Sequence, residues 1–409
     1  MHHIWHARLT RQKFPGLAMQ TGRHFLQIPG PTNTPLAVLA AIARPVIDHR
    51  GPEFQKLAKD ILHRLRFVFR TRGPVVIYPA SGTGAWEAAL VNTLSPGEKV
   101  LMVETGWFAT LWRRMAERLG IDAEFIPSDW RQGADVAALE ARLAADKARV
   151  FKAVCIVHNE TSTGCVSDIA AVRAALNRAG HPALLMVDTI SSLASIDYRH
   201  EEWGVDVTVA GSQKGLMLPP GLSFNAISEK ALAVSKANRF PRSFWDWGEM
   251  LMANEQGFFP YTPSTNLLQG LKVALDLLEE EGLEQVFARH DRAAEATRRA
   301  VRHWGFETVC RAPDACSAAL TAVMLPEGHS ADAFRKLVLE RSNMSLGNGL
   351  GRLADKVFRI GHLGDFSDLM ATGTLSGVEM GLAASAIPHR PGGVQAAMDY
   401  LQGNARAAS

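Results

Sequence analysis

Val207-Thr-Val-Ala-Gly-Ser-Gln-Lys-Gly215 is the stretch from which the architecture of this chain is read. Its first half completes an alternating, β-branched run that starts at Val205, the pattern of a strand buried on at least one face. Its second half, Gly211-Ser-Gln-Lys-Gly215, uses small residues to turn the backbone and leaves one lysine at the strand's C-terminal end. Ligands of open α/β sheets bind outside that edge. A lysine held there is a nucleophile if its pKa is lowered and an aldehyde lies within reach. Taken alone, the same residues also describe a lysine in a surface loop, so neighbouring segments have to choose.

Those segments repeat one pattern. Ala183-Leu-Leu-Met-Val-Asp188 is an apolar run that ends on a carboxylate, with room before Lys214 for a loop and one buried strand. Val150 to Val157 is an apolar strand running into His158-Asn-Glu-Thr-Ser-Thr-Gly164. Val75-Val-Ile-Tyr-Pro-Ala80 is followed by the turn Ser81-Gly-Thr-Gly84 and a helix expected over Ala85 to Leu94. Lys99 to Glu104 and Leu222 to Ile227 read as further strands. Helices are expected over Glu53–Phe69, Trp107–Leu119, Asp135–Ala145 and Asp168–Ala179, the last with Asp168 as N-cap and Gly180 as stop. Apolar strands alternating with helices predict an α/β chain with a mostly parallel sheet covered on both faces.

Composition narrows the class. The chain has 409 residues, 47% of them apolar and 21% charged, with a net charge of +3. That length suggests more than one domain, and the charge balance gives no case for nucleic acid. No apolar run reaches the length needed to span a membrane. The four cysteines, Cys155, Cys165, Cys310 and Cys316, fit no metal spacing and point to a reducing, cytoplasmic setting. Residues 1–24 read as an N-terminal extension, packing across a partner subunit if ordered, and 25–284 as the large domain. After Gly282 the pattern becomes α+β, with a strand at Val357–Gly361 and a last helix from Asp368 to about Ala386, so a smaller domain is expected over 285–409. Phe240 to Phe259 is aromatic-rich and reads as irregular, suited to core packing or a subunit contact.

Several strands therefore end in polar residues at one edge: Ser81 and Thr83, His158 to Thr163, Asp188, and Lys214. Each has a plain structural reading, as turn residues, a cap or a hydrogen-bonded loop histidine; their coincidence at one edge favours a site. The strand–glycine turn–helix unit at Ser81 is a ready anion site, because the first amides of a helix are unpaired and its dipole is positive there. A phosphate at that turn, a carboxylate at Asp188 and an amine at Lys214 are the three contacts pyridoxal phosphate requires: an anion for its pyridinium, a lysine for its aldehyde and a helix N-terminus for its phosphate.

Motifs along the rest of the chain extend this pattern. Pro29-Gly-Pro-Thr-Asn33, Asp48-His-Arg50, Pro79-Ala-Ser-Gly-Thr-Gly-Ala-Trp-Glu87, His158-Asn-Glu-Thr-Ser-Thr-Gly164, Gly211-Ser-Gln-Lys-Gly215, Pro260-Tyr-Thr-Pro263 and Lys356-Val-Phe-Arg-Ile-Gly-His-Leu-Gly364 occur in order over about residues 25 to 390. Together they resemble the class V aminotransferases of fold type I, in the serine–glyoxylate branch. The resemblance implies a large domain with a mostly parallel seven-stranded sheet, a smaller C-terminal α+β domain, and a homodimer with shared active sites. It implies pyridoxal 5'-phosphate carried on Lys214, with Asp188 on the pyridinium and with Ser81, Gly82, Thr83 and Gln213 at the phosphate. Thr262 would reach that phosphate from the partner subunit, and Ile190 would complete the cofactor set. Phe108 would stack on the ring, with Trp107 as the alternative, and Thr161 or Ser162 would bond the ring hydroxyl. Arg359 would clamp the substrate carboxylate, a bidentate task suited to arginine.

The implied reaction moves an amino group from a small L-amino acid, serine first, to glyoxylate. Thr189 and Ala194 stand where relatives usually carry glycine, and Phe258 where tyrosine is common, which leaves the amino donor open between serine, aspartate and alanine. Two other readings compete. A nicotinamide dehydrogenase would use Gly82-Thr-Gly84 with Glu104 as its ribose carboxylate, but Glu87 stands at the third glycine position. A cysteine desulfurase would need a cysteine over the cofactor, and Cys310 and Cys316 lie near the start of the smaller domain.

Overall fold

The computed structural model describes residues 22–407, so the packing expected of residues 1–24 falls almost wholly outside the described residues. Two sheets organise the chain. We number the main strands β1 (Phe25–Gln27), β2 (Val75–Tyr78), β3 (Lys99–Val103), β4 (Asp122–Ile126), β5 (Phe151–Val157), β6 (Leu184–Asp188), β7 (Val207–Gly211), β8 (Ser223–Ile227), β9 (Leu320–Met324), β10 (Met344–Asn348) and β11 (Val357–Gly361).

The large sheet has seven strands in the order β2-β8-β7-β6-β5-β3-β4. β3 to β7 run parallel, and β8 is antiparallel to both β7 and β2. Both faces are buried, as the near-continuous apolar strands require. Ile77, Leu101, Val154, Leu185 and Phe224 face one helical layer, while Val76, Val100, Ala153, Met186 and Val209 face the other. The two-residue alternation of a strand thus feeds two cores at once.

The smaller sheet has the order β1-β10-β11-β9 and packs on helices Leu283–Trp304, Ala331–Ser342 and Asp368–Ala384. Its edge strand β1 comes from the start of the described chain and pairs in parallel with β10, Phe25 opposite Met344. Gly282 lies between helices Thr265–Glu281 and Leu283–Trp304.

Some expectations are corrected. The helix after β2 begins at Gly82 and not at Ala85, so the glycine turn is itself the first helical turn. Within Phe240–Phe259, Trp247–Glu255 is helical; Asp246 caps it, and Trp247 is buried with its indole donating to Tyr78 Oη at 2.7 Å. The C-terminal helix Asp368–Ala384 is followed by another, Gly393–Ala407. Among the described residues no helix is long and apolar enough to cross a membrane.

Candidate active site

The C-terminal ends of β5, β6 and β7 bring the expected polar residues together. Asp188 is the last residue of β6 and only 4% exposed. Its Oδ1 accepts from the Ile190 amide at 2.7 Å, and its Oδ2 accepts from the Trp86 indole at 3.0 Å. Both donors come from rigid places, the turn after β6 and the buried face of helix Gly82–Thr93, so the carboxylate is aimed. Burial pushes its pKa up to about 7, and nearby Glu160 adds to the rise.

Lys214 follows β7 and is 8% exposed. Burial first, and the Arg359 guanidinium second, lower its pKa to about 7. Its Nζ donates to the Pro29 carbonyl and forms no ion pair with Asp188. A buried amine without a carboxylate partner, neutral in large part near pH 7, is equipped to be a nucleophile or a base.

The anion site is built from three elements. Helix Gly82–Thr93 has Ser81 at its N-cap, yet no side chain caps its amides. The Ser81 and Thr83 side chains are exposed. Gly82 lies on Ile190, and a Cβ there would come within 2.6 Å of Ile190 Cγ1. Gln213 follows β7, and its buried Oε1 has no hydrogen-bond partner among the described residues. Open helix amides and two small hydroxyls suit a phosphate, and the Gln213 side chain can add a donor only through its amide nitrogen, since the orphaned Oε1 is an acceptor. With the Asp188 carboxylate and the Lys214 amine beside them, these residues fit pyridoxal phosphate.

Arg359 sits mid-strand in β11, 6% exposed. Its Nε donates to Asn348 O and its Nη1 to Thr161 O, both at 2.7 Å, while Nη2 has no hydrogen-bond partner among the described residues. Two carbonyls therefore orient the guanidinium and leave one edge for a ligand. Thr161 also donates from its hydroxyl to Ser191 Oγ at 2.7 Å. Phe108 packs with the buried face that holds Trp86 and Trp112, whereas the Trp107 ring lies against Gly351 and beneath Arg114. Thr262 is exposed and makes no hydrogen bond within the described chain.

Residues outside the expected set also build the site. Glu160, fully buried, accepts from the Phe108 and Ala109 amides at 3.3 and 3.2 Å and from Ser162 Oγ at 2.6 Å. It thereby caps helix Trp107–Arg118, whose own N-cap, Gly106, supplies no side chain. Sequence reasoning also misses Trp86 as the second donor to Asp188, and Pro29 as the acceptor for Lys214. The residues are visible inside the quoted motifs, but the partner of a hydrogen bond across 102 or 185 positions has no local signal.

Two of the polar residues at this edge have structural roles. Glu104 accepts from the Trp130 indole at 3.1 Å and pairs with Arg352, so it is a structural acceptor and no ribose carboxylate. His158 is buried, bonded to Ser192 Oγ at 2.9 Å and packed among Tyr198 and Trp203; burial lowers its pKa to about 4. It belongs to the core.

Comparison with known proteins agrees with this geometry. Residues 24–351 match the family Aminotransferase class-V. The chain belongs to that family. It is therefore an aminotransferase with pyridoxal phosphate as its cofactor. It is 48% identical to the serine–glyoxylate aminotransferase of Hyphomicrobium methylovorum, over 93% of this chain and 95% of that one. It is 43% identical to the L-aspartate–glyoxylate aminotransferase of Paracoccus denitrificans, over 95% and 98%. Among solved structures, pyridoxamine–pyruvate aminotransferase from Mesorhizobium loti superposes with a TM-score of 0.87 at 28% identity, covering 93% of this chain and 97% of that one.

Proposed function

We propose that this class V aminotransferase takes its amino group from L-serine and delivers it to glyoxylate, giving hydroxypyruvate and glycine in two half-reactions. The observation that carries the reading is the near full-length similarity to a serine–glyoxylate aminotransferase, at 48% identity. The geometry supplies the parts. Pyridoxal phosphate, when bound, provides the electron sink that makes the substrate α-proton removable.

The chain's residues do the rest. The open amides at Gly82, with Ser81, Thr83 and Gln213, would hold the phosphate. Asp188, aimed by Trp86 and Ile190, would hold the pyridine nitrogen in its protonated form, and that contact would keep the buried carboxylate ionised. Phe108 would stack on the ring and Thr161 would face its hydroxyl. Arg359 would bind the substrate carboxylate through the guanidinium edge left open by Asn348 and Thr161. Lys214 Nζ would take the proton from the substrate Cα and hold it for redelivery.

By the resemblance, Thr262 would lie at the phosphate site of a partner subunit, and its exposure is compatible with a homodimer that shares its active sites. Four unpaired cysteines support a cytoplasmic location. A second reading, aspartate as donor, rests on the 43% identity to the Paracoccus enzyme. Visible absorption of the purified protein tests both. A yellow band that fades with L-serine and returns with glyoxylate is expected. Fading with aspartate but not serine would transfer the assignment to the second reading.

A further inference from the structure

The loop Ile28–Thr32 lies over the catalytic lysine and is fastened to it at several points. Thr32 N donates to Gln213 O and Thr32 Oγ1 to Lys214 O, each at 3.2 Å, so the loop is tied to the lysine's own backbone. Lys214 Nζ donates to Pro29 O. Gly30 has φ +92, and a Cβ there would come within 2.6 Å of Lys214 Nζ and 2.7 Å of Cε. From the other side the loop is backed by the small sheet. A Cβ on Gly347 would come within 2.8 Å of Pro29 Cδ, and one on Gly361 within 2.8 Å of Pro29 N. These two glycines belong to β10 and β11, and Gly347 pairs with Arg359. The loop is thus wedged between the strand that carries the carboxylate clamp and the amine that moves the proton.

We propose that the Pro29 carbonyl is the docking point of the Lys214 amine whenever that amine is not bonded to the cofactor, and that Gly30 is a positioning residue that keeps the docking space clear. The inference rests on Lys214 being the proton carrier. An amine on a flexible four-carbon stem has many rotamers, and a fixed acceptor holds it near its point of use. Effective concentration of this kind is a large part of intramolecular catalysis. Pro29 contributes a backbone oxygen that no side-chain substitution removes, so the space at Gly30 is the accessible handle.

The test is a cycle with Lys214→Ala. In the wild-type background, Gly30→Ala should lower kcat by about 10- to 100-fold with KM changed less than about threefold, and should slow the capture of added pyridoxal phosphate by the apo-enzyme by about 10-fold. In the Lys214→Ala background, where a small primary amine in solution stands in for the lysine, Gly30→Ala should change neither the rescued rate nor the cofactor's non-covalent dissociation constant by more than about twofold. An equal loss in both backgrounds would mean that Gly30 serves only loop packing, and would overturn the proposal. A Lys214→Ala enzyme of full activity without amine would instead overturn the role of Lys214 itself. Because φ at residue 30 disfavours alanine, Thr32→Val is the second variant; it loosens the same loop by one hydrogen bond, and its smaller effect should vanish with the lysine in the same way.

Discussion

The two ends of the large sheet treat buried charge in opposite ways. At the N-terminal ends of the strands, the buried acids Asp146 and Asp206 have their donors. Asp146 accepts from His181 at 3.0 Å and from the Phe151 amide at 3.2 Å; although burial pulls upward, these bonds hold its pKa down at about 2. Asp206 accepts from Arg173 at 2.9 Å, from the Leu185 amide at 2.8 Å and from Ser228 at 3.0 Å. At the C-terminal ends, Asp188 is raised to about 7 and Lys214 is lowered to about 7, with no ion pair between them. One end uses charge to staple strand to loop. The other leaves both groups hydrogen-bonded but without an ion-pair partner until a ligand arrives, which is how a site stores binding energy at some cost in stability.

The sharpest way to break this contrast is Lys214→Ala. Turnover should fall by roughly 10³- to 10⁴-fold, the scale of a lost general base, while the melting temperature of the apo-protein stays level or rises. A large drop in melting temperature would show that the lysine belongs to the stapling end after all. The converse experiment is His181→Ala, which leaves Asp146 buried without its partner. It should cost about 1–3 kcal/mol in denaturant unfolding, since the Phe151 amide still serves the carboxylate, with kcat of the folded enzyme within about twofold of wild type.

Acid–base behaviour sharpens the comparison further. The folded pKa of Asp188 is above its unfolded value, so its contribution to stability is full below about 4 and is lost as pH rises through about 7. Asp146 has the opposite sign: its contribution is present above about 4 and is lost as pH falls through about 2. Asp188→Asn should therefore flatten the stability profile of the apo-protein between about pH 4 and pH 7 and leave the loss below about pH 4 in place. The change should amount to a few kcal/mol, since each pH unit in that window is worth about 1.4 kcal/mol. Urea midpoints measured across pH check both halves. The smallest effect concerns Ala194, which takes φ +55, a conformation that favours glycine. Ala194→Gly should stabilise by about 0.5–1 kcal/mol, since it relieves left-handed strain against a modest gain in unfolded-chain freedom.

Much of this is legible in the sequence where structure is local. The alternation of Val205 to Ala210, the apolar run up to Asp188 and the glycine turn at Ser81 point to the seven-stranded layer and its working edge. The strands that escape such reading are of a different kind. β4 reads Asp-Ala-Glu-Phe-Ile126, an edge strand whose charges mask its period, and β10 reads Met-Ser-Leu-Gly-Asn348, whose small residues make room for Pro29 and Arg359. Helix Trp247–Glu255 is hidden because its apolar residues do not fall on one face. The site residues follow the same rule. Lys214, Asp188 and Arg359 can be named from motif and resemblance, but their aiming partners cannot, because Pro29, Trp86, Asn348 and Thr161 each act across the chain through a single bond.

The pairing of Phe25–Gln27 with Met344–Leu346 also bears on how the molecule is made. The loop over Lys214 begins one residue after β1, whereas its outer wall, β10 and β11, follows the lysine in the sequence. At ordinary synthesis speeds the lysine is delivered on the order of ten seconds or more before β10 and β11 arrive to press the loop into place. Until then the nascent chain carries its reactive amine without the carbonyl that docks it and without the guanidinium that receives a substrate. The competent site is thus assembled late, when Phe25–Gln27 meets Met344–Leu346.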